Sequence, residues 1–151
     1  MVMKETKGGH CELCLTIPSV PRLLRVVRCV MAEMANLGGF ELKDRDKICL
    51  AVDEACSNII RHSYKGKSDG EIIIKCRVDN DKMTIHIRDF GQKFDIAKVK
   101  PRAPQEGGPG GLGIHMMRKI MDTLEYDCSH ECGTELHMVK YVRSREACNG
   151  D

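Results

Sequence analysis

The chain has 151 residues, the length of one ordinary domain, and its 24 basic and 22 acidic residues give a formal net charge of +2. So small a basic excess argues against a general polyanion binder, and 4% aromatic residues with no tryptophan argue against a base-stacking surface. We therefore expect no direct nucleic-acid partner. No apolar run approaches the roughly 18 residues of a membrane span, so we expect no membrane partner.

The N-terminal segment is polar and charged, without the apolar centre of a signal peptide. We predict a flexible leader over residues 1–12, one folded domain over residues 13–142 and a polar tail over residues 143–151. The nine cysteines are odd in number and scattered through predicted helices and strands. This distribution favours reduced thiols over a disulfide framework, so we expect a cytoplasmic protein.

A short strand is predicted at residues 13–17, followed by a helix that begins near Ser19 and Pro21 and ends at Gly38-Gly39. Apolar residues recur along this helix at helical spacing. It also carries three arginines, which form either a solvated face or a docking surface for an acidic partner. These are Arg22, Arg25 and Arg28.

A second helix is predicted over residues 44–62. Glu54 and Asn58 are four residues apart, so they share a polar stripe that is separate from the apolar one. The apolar stripe consists of Ile48, Val52, Ala55, Cys56 and Ile59.

Two predicted hairpins complete the domain. Apolar and polar residues alternate over residues 72–78 and 83–87, and Asp79-Asn80-Asp81 supplies the turn between them. A short helix is predicted at residues 114–121, and a second hairpin pairs residues 124–129 with 134–142. Because hairpins join successive strands, we predict an α+β two-layer sandwich, with helices on one face of a mixed, mostly antiparallel sheet.

Five glycines lie between Gly107 and Gly113, directly before the short helix. Glycines let the backbone approach a ligand, and a helix N-terminus offers free N–H groups to a phosphate. A flexible connector is the alternative. A P-loop is excluded because no Gly-Lys-Ser/Thr follows, and the dinucleotide pattern is excluded because no strand precedes the first glycine. Asp89-Phe90-Gly91 is not the protein-kinase motif, since it precedes the glycine loop and no His-Arg-Asp sequence exists.

Four short motifs occur in a meaningful order. They are Glu54-Ala55-Cys56-Ser57-Asn58 on a helix, Asp89-Phe90-Gly91 at a strand end, the glycine loop, and Gly133-Thr134 before the last strand. In this the chain resembles the GHKL-type (histidine-kinase-like) ATPase domain with its Bergerat-type fold. Within that group it is similar to the anti-sigma factor serine/threonine kinases of bacterial partner-switching systems. The resemblance covers residues 13–142.

The resemblance implies roles for individual residues. Glu54 matches the general base for the attacking hydroxyl, and Asn58 matches the ligand of Mg²⁺. Asp89 matches the acceptor for the adenine amine, beside which Gly91 leaves room for the base. The remaining matches complete the implied ATP site. The second glycine box, with Gly111, Leu112 and Gly113, matches the backbone that meets the phosphates, and Thr134 matches the threonine at the adenine end.

One position departs from the common family pattern. The first glycine box of the family reads Asp-x-Gly-x-Gly, whereas Lys93 stands at the second glycine. The segment Asp89 to Asp95 instead resembles the Asp-x-Gly-x-x-Phe-Asp variant of the anti-sigma-like members. This variant favours the anti-sigma-like group within the family.

The resemblance also implies an activity and partners. The main hypothesis is an ATP-dependent serine/threonine protein kinase that acts as an anti-sigma factor, phosphorylates an anti-sigma factor antagonist and binds a sigma factor. The alternative is a nucleotide-binding partner-switch module without kinase activity. Relatives often dimerise, so a homodimer is a further expectation.

Two sets of cysteines and histidines have the ligand types of zinc sites. One is His10, Cys11 and Cys14, and the other is Cys128, His130 and Cys132 near His137. No second Cys-x-x-Cys accompanies the first set, so the spacing does not establish a metal site. We expect Cys29, Cys49 and Cys56 to be small buried side chains.

Overall fold

The structure, a computed structural model, describes residues 1–6, 9–93, 95 and 112–143. The glycine loop up to Gly111 and the predicted polar tail beyond residue 143 lie outside the described residues. The strands are β1 (Val2–Thr6), β2 (His10–Pro18), β3 (Glu71–Val78), β4 (Lys82–Asp89), β5 (Thr123–Asp127) and β6 (Glu135–Tyr141). The helices are α1 (Leu24–Leu37), α2 (Leu42–Asn58) and α3 (Leu112–Ile120), with a 3₁₀ turn at Pro21–Leu23 and a π-helical turn at Ile59–Ser63.

The strands form one sheet in the order β1-β2-β3-β4-β6-β5. Every strand pair in the described part of the chain is antiparallel. The two predicted hairpins are β3–β4 and β5–β6, and the pairing of β4 with β6 joins them. This pairing sets Ile87 opposite Leu136 and His86 opposite His137.

The helices cover one face of the sheet, which confirms the predicted two-layer α+β architecture. Side chains on β4 are buried at every second position, from Met83 to Asp89, because successive residues of a strand point to opposite faces. The residues of the predicted apolar stripe on α2 are all buried against this face.

On α1, Val27, Met31 and Met34 are buried as the helical spacing predicts. Val26 and Leu37 lie outside that stripe and remain exposed.

Two expectations from the sequence were wrong. Val2–Thr6 is a strand and not part of a flexible leader, because it pairs with β2 along the sheet edge. Of the cysteines expected in the core, Cys56 is buried and Cys49 half-buried, but Cys29 is exposed because it lies on the outer face of α1.

The cysteines in the described ranges are free thiols, as expected. In the same ranges, no helix is long and apolar enough to cross a membrane.

The one-sided core gives a direct test by substitution in β3. Ile74 is fully buried against the helices, whereas its neighbour Ile73 points to the open face and is only half-buried. Ile74→Ala should lower the free energy of unfolding by about 2–5 kcal/mol, because it leaves a cavity in the core. Ile73→Ala should cost about 1 kcal/mol or less. Urea unfolding of both variants measures the difference, and equal losses would contradict the one-sided core.

Candidate nucleotide-binding site

A buried carboxylate lies at the end of β4. Met83, Ile85 and Ile87 alternate along the strand on the face toward the helices, and the same alternation places Asp89 at the end of that row. Asp89 is only 1% exposed. An ionised group in such a position needs hydrogen-bond donors, since burying an unpaired charge is costly.

Three donors from three segments meet the Asp89 carboxylate. The Gly91 N–H donates to Oδ1 at 3.0 Å, and the Ser63 hydroxyl and the Thr134 N–H also donate to the carboxylate. Burial raises the pKa of Asp89 above its usual range, and these hydrogen bonds oppose the increase. The Asp89 N–H in turn donates to the Thr134 carbonyl at 3.0 Å. Both the backbone and the side chain of Asp89 therefore join β4 to the segment before β6.

Glycine is required on both sides of Asp89. A methyl group at Gly91 would lie 2.5 Å from the Ser63 carbonyl oxygen, and one at Gly133 would lie 2.0 Å from the Asp89 carbonyl oxygen. Gly133 also has a φ of +68°, which L side chains rarely adopt. The backbone on either side of the carboxylate is therefore packed too closely for any side chain.

A cavity of about 20 Å³ opens beside Asp89. It lies between α2 and the sheet, and Asn58 and Thr134 line it together with Asp89. Tyr126 of β5 is a further lining residue that the sequence did not indicate, and burial raises the pKa of its phenol to about 12. Three of the predicted site residues are thus brought together from α2, β4 and the start of β6.

The π-helical turn after Asn58 supplies contacts that sequence reasoning missed. The Tyr64 hydroxyl donates to the Glu71 carbonyl at 2.5 Å and accepts the Phe90 N–H at 2.8 Å. The Gln92 N–H donates to the Ser63 carbonyl at 3.0 Å. Ser63 and Tyr64 follow Asn58 within six positions of the sequence, and this proximity to a predicted site residue was the available signal.

A second group of predicted residues meets where α2 faces the start of α3. A methyl group at Gly113 would lie 2.0 Å from Glu54 Oε1, so α3 approaches the Glu54 carboxylate closely. Arg61 Nη2 donates to Asn58 Oδ1 at 3.0 Å and lies 3.5 Å from Glu54 Oε1. This guanidinium brings a positive charge to the polar stripe of α2, next to the two residues whose spacing suggested a site.

Two predicted positions contribute less to this geometry. Leu112 begins α3 but its side chain is 63% exposed, so only its backbone is placed to contribute. Gly111 lies outside the described residues. Lys93, which stands at the second glycine of the common pattern, is exposed.

The cysteine sets do not assemble as metal sites. Cys11 and Cys14 are three residues apart on β2, so their side chains point to opposite faces of the sheet. His10 lies on the same strand, and its Nδ1 pairs with Asp79 at 2.8 Å. Among the described residues, the side-chain groups with metal-ligand spacing contain histidines and carboxylates and no cysteine.

Comparisons with known proteins agree with the fold. The family described as histidine kinase-like ATPase domain matches residues 17–140. The serine-protein kinase RsbW of Listeria innocua is 28% identical over 145 residues, covering 91% of this chain and 91% of its own. The RsbW of a Bacillus cereus strain is 31% identical over 143 residues, covering 89% of this chain and 88% of its own.

A solved structure extends the likeness to three dimensions. The structure of the RsbU and RsbW domains of a Mycobacterium tuberculosis protein superposes with a TM-score of 0.64, over 88% of this chain and 33% of that longer one. At 18% identity this shows the fold alone. Its sequence relatives group the chain with the RsbW serine-protein kinases. The family match over residues 17–140 shows that the chain belongs to the histidine kinase-like ATPase family, which binds ATP.

Proposed function

We propose that this protein is an ATP-dependent serine/threonine protein kinase that acts as an anti-sigma regulatory factor. The observation that carries the proposal is the convergence of Glu54 and Gly113 at one end of the site with Asp89 and Thr134 at the other. A nucleotide has the same two ends, a base that needs a specific hydrogen-bond acceptor and phosphates that need positive charge and backbone donors.

Asp89 selects the base. Its carboxylate is held in place by Gly91, Ser63 and Thr134, and it offers remaining acceptor capacity to an exocyclic amine such as that of adenine. The cavity beside Asp89 is narrow, and Asn58 and Thr134 line it together with the carboxylate. A guanine or hypoxanthine base presents a carbonyl at the corresponding position and would face the carboxylate unfavourably.

Glu54 and Asn58 act at the phosphates. Both offer oxygen atoms, the donor type that Mg²⁺ prefers, and Asn58 would hold the ion from the polar stripe of α2. When bound, Mg²⁺ neutralises charge on the β- and γ-phosphates. Glu54 takes the proton from the attacking hydroxyl of the protein substrate. In the structure Arg61 donates to Asn58 Oδ1, so this guanidinium would have to leave that oxygen for Mg²⁺ to bind there, and it adds positive charge at this end.

The substrate and partners follow from the kinship with the RsbW kinases. The attacking hydroxyl belongs to a serine or threonine of an anti-sigma factor antagonist, and the other partner is a sigma factor. Arg22 in the 3₁₀ turn and Arg25 in the first turn of α1 are exposed and suit an acidic partner. Arg28 pairs with Asp53 at 3.4 Å.

The kinase activity is tested by replacing the proposed base. Glu54→Gln keeps the size of the side chain but removes its basicity, so ATP binding should persist. Phosphoryl transfer should fall by about 10²–10⁴-fold, the usual contribution of a general base. The measurement incubates the protein with labelled ATP, Mg²⁺ and the antagonist-like proteins encoded by neighbouring genes, followed by identification of the labelled residue.

Asp46→Asn is the matched control for this experiment. Asp46 lies on the same helix, but its carboxylate is exposed and pairs only with its neighbour Arg45. Its substitution should leave transfer unchanged. ATP binding without label on any candidate would overturn the kinase and support a nucleotide-binding module. Unchanged transfer by Glu54→Gln would overturn the role of Glu54 alone.

The role of Asp89 is tested by nucleotide preference. The wild-type protein should bind ATP more tightly than ITP by about 10-fold or more, because ITP lacks the exocyclic amine. Asp89→Asn replaces an acceptor by a group that can also donate, so the ATP/ITP affinity ratio should fall toward one or below. The ratio is read by calorimetric titration of the same sample, so partial unfolding of the variant cancels. An unchanged ratio would show that another group reads the base.

A further inference from the structure

A cluster of ionisable side chains lies on the open face of the sheet, opposite the helices. His86 of β4 stands directly across from His137 of β6, and Glu135 lies two residues before His137 on the same strand and face. The imidazole rings of His86 and His137 stack with centroids 4.1 Å apart. None of these residues takes part in the nucleotide site, which lies on the other face.

Glu135 is the centre of the cluster. Its Oε1 lies 3.6 Å from His86 Nδ1, and its Oε2 lies 3.7 Å from His137 Nε2. The ligand atoms of the three residues all lie within 4.8 Å of one another. Donor atoms around a tetrahedral Zn²⁺ are about 3.4 Å apart, as follows from bond lengths near 2.0–2.1 Å. The ligand atoms are therefore near the spacing that a shared ion requires, and the two stacked rings must turn so that both nitrogens face it.

Two more residues complete a second layer around the same carboxylate. His130 Nε2 lies 3.3 Å from Glu135 Oε2, and it also lies 3.6 Å from Asp127 Oδ2. Both belong to the end of β5 and the turn that leads into β6. His130 is thus placed either to hold Glu135 in position or to serve as a fourth ligand, since it approaches the same oxygen as His137.

The protein alone leaves this cluster incompletely satisfied. His137 Nε2 is buried, and no hydrogen-bond partner for it exists among the described residues. Buried polar atoms are normally hydrogen-bonded, and Glu135 Oε2 lies 3.7 Å from this nitrogen, just beyond hydrogen-bond distance, so an ion held between the two groups would pair both.

The donor set around Glu135 suits a cation. One carboxylate lies among three histidines, a mixture of oxygen and nitrogen ligands that ions of the zinc class accept. Arg88 stands opposite Glu135 in the pairing of β4 with β6, and its guanidinium donates to the carbonyl oxygens of Asp89 and Cys132. Lys75 on β3 is a further cation near His86.

We propose that His86, Glu135 and His137 bind a divalent transition-metal ion of the zinc class on the open face of the sheet. Imidazole and carboxylate ligands suit Zn²⁺, Co²⁺ and Ni²⁺. The ion bridges β4 and β6, and His130 stabilises the carboxylate ligand from the adjoining turn. This site does not depend on the proposed kinase activity.

Titration of the full-length reduced protein with Co²⁺ tests the site by its absorption spectrum and stoichiometry. We expect one tight site per chain with the visible bands of nitrogen and oxygen ligands and without an intense thiolate charge-transfer band. His86→Gln and His137→Gln should each weaken binding by about 100-fold or more, since even second-layer ligands contribute 10–100-fold. The ion should also raise the unfolding midpoint of the wild type and not of either variant.

Two controls separate this site from other ligands. His115→Gln removes a histidine of α3 outside the cluster, and the Cys128→Ser, Cys132→Ser double variant removes the thiols nearest to it. Both should keep the Co²⁺ affinity and spectrum. The proposal is overturned if His86→Gln and His137→Gln, folded as judged by their metal-free unfolding midpoints, bind Co²⁺ as tightly as the wild type. Thiolate bands in the wild-type spectrum, or no tight site at all, would overturn it as well.

Discussion

The buried carboxylate of Asp89 is the constraint on which the nucleotide site depends. It costs free energy to hold an ionisable group under α2, and three donors from separate segments offset that cost. Satisfying Asp89 therefore fixes the relative position of β4, the π-helical turn and the start of β6. The close packing at Gly91 and Gly133 follows from the same requirement, because both backbone segments must come within hydrogen-bond distance of one side chain.

The phosphate end is arranged by helix geometry. Glu54 and Asn58 lie one helical turn apart on α2, and α3 begins so close to them that a methyl group at Gly113 would overlap Glu54. The same helix buries its apolar stripe against the sheet. One amphipathic helix thus supplies both a large part of the core and the polar groups of the site, which is why the site residues keep a fixed orientation relative to Asp89.

Patterns that repeat within one element could be predicted from the sequence. The stripe of α2, the alternation of β4 and the placement of Glu54 beside Asn58 need only the periods of helix and strand. Contacts between distant segments could not be predicted in this way. The roles of Ser63 and Tyr64 depend on a π-helical turn that brings them to β4, and strand β1 depends on the exposed edge of β2 rather than on its own polar sequence.

The histidine cluster shows the same limit more clearly. His86 and His137 are 51 positions apart in sequence, and only the antiparallel pairing of β4 with β6 places them side by side. That pairing also places two sets of contacts on opposite faces of the sheet. Thr134 hydrogen-bonds Asp89 on the helix side, and the next residue, Glu135, lies beside the two histidines on the open side. An ion bound at Glu135 would restrain β4 and β6 at the end where the base-binding carboxylate is held. The base-binding carboxylate and the proposed metal site therefore share one structural support, the pairing of β4 with β6.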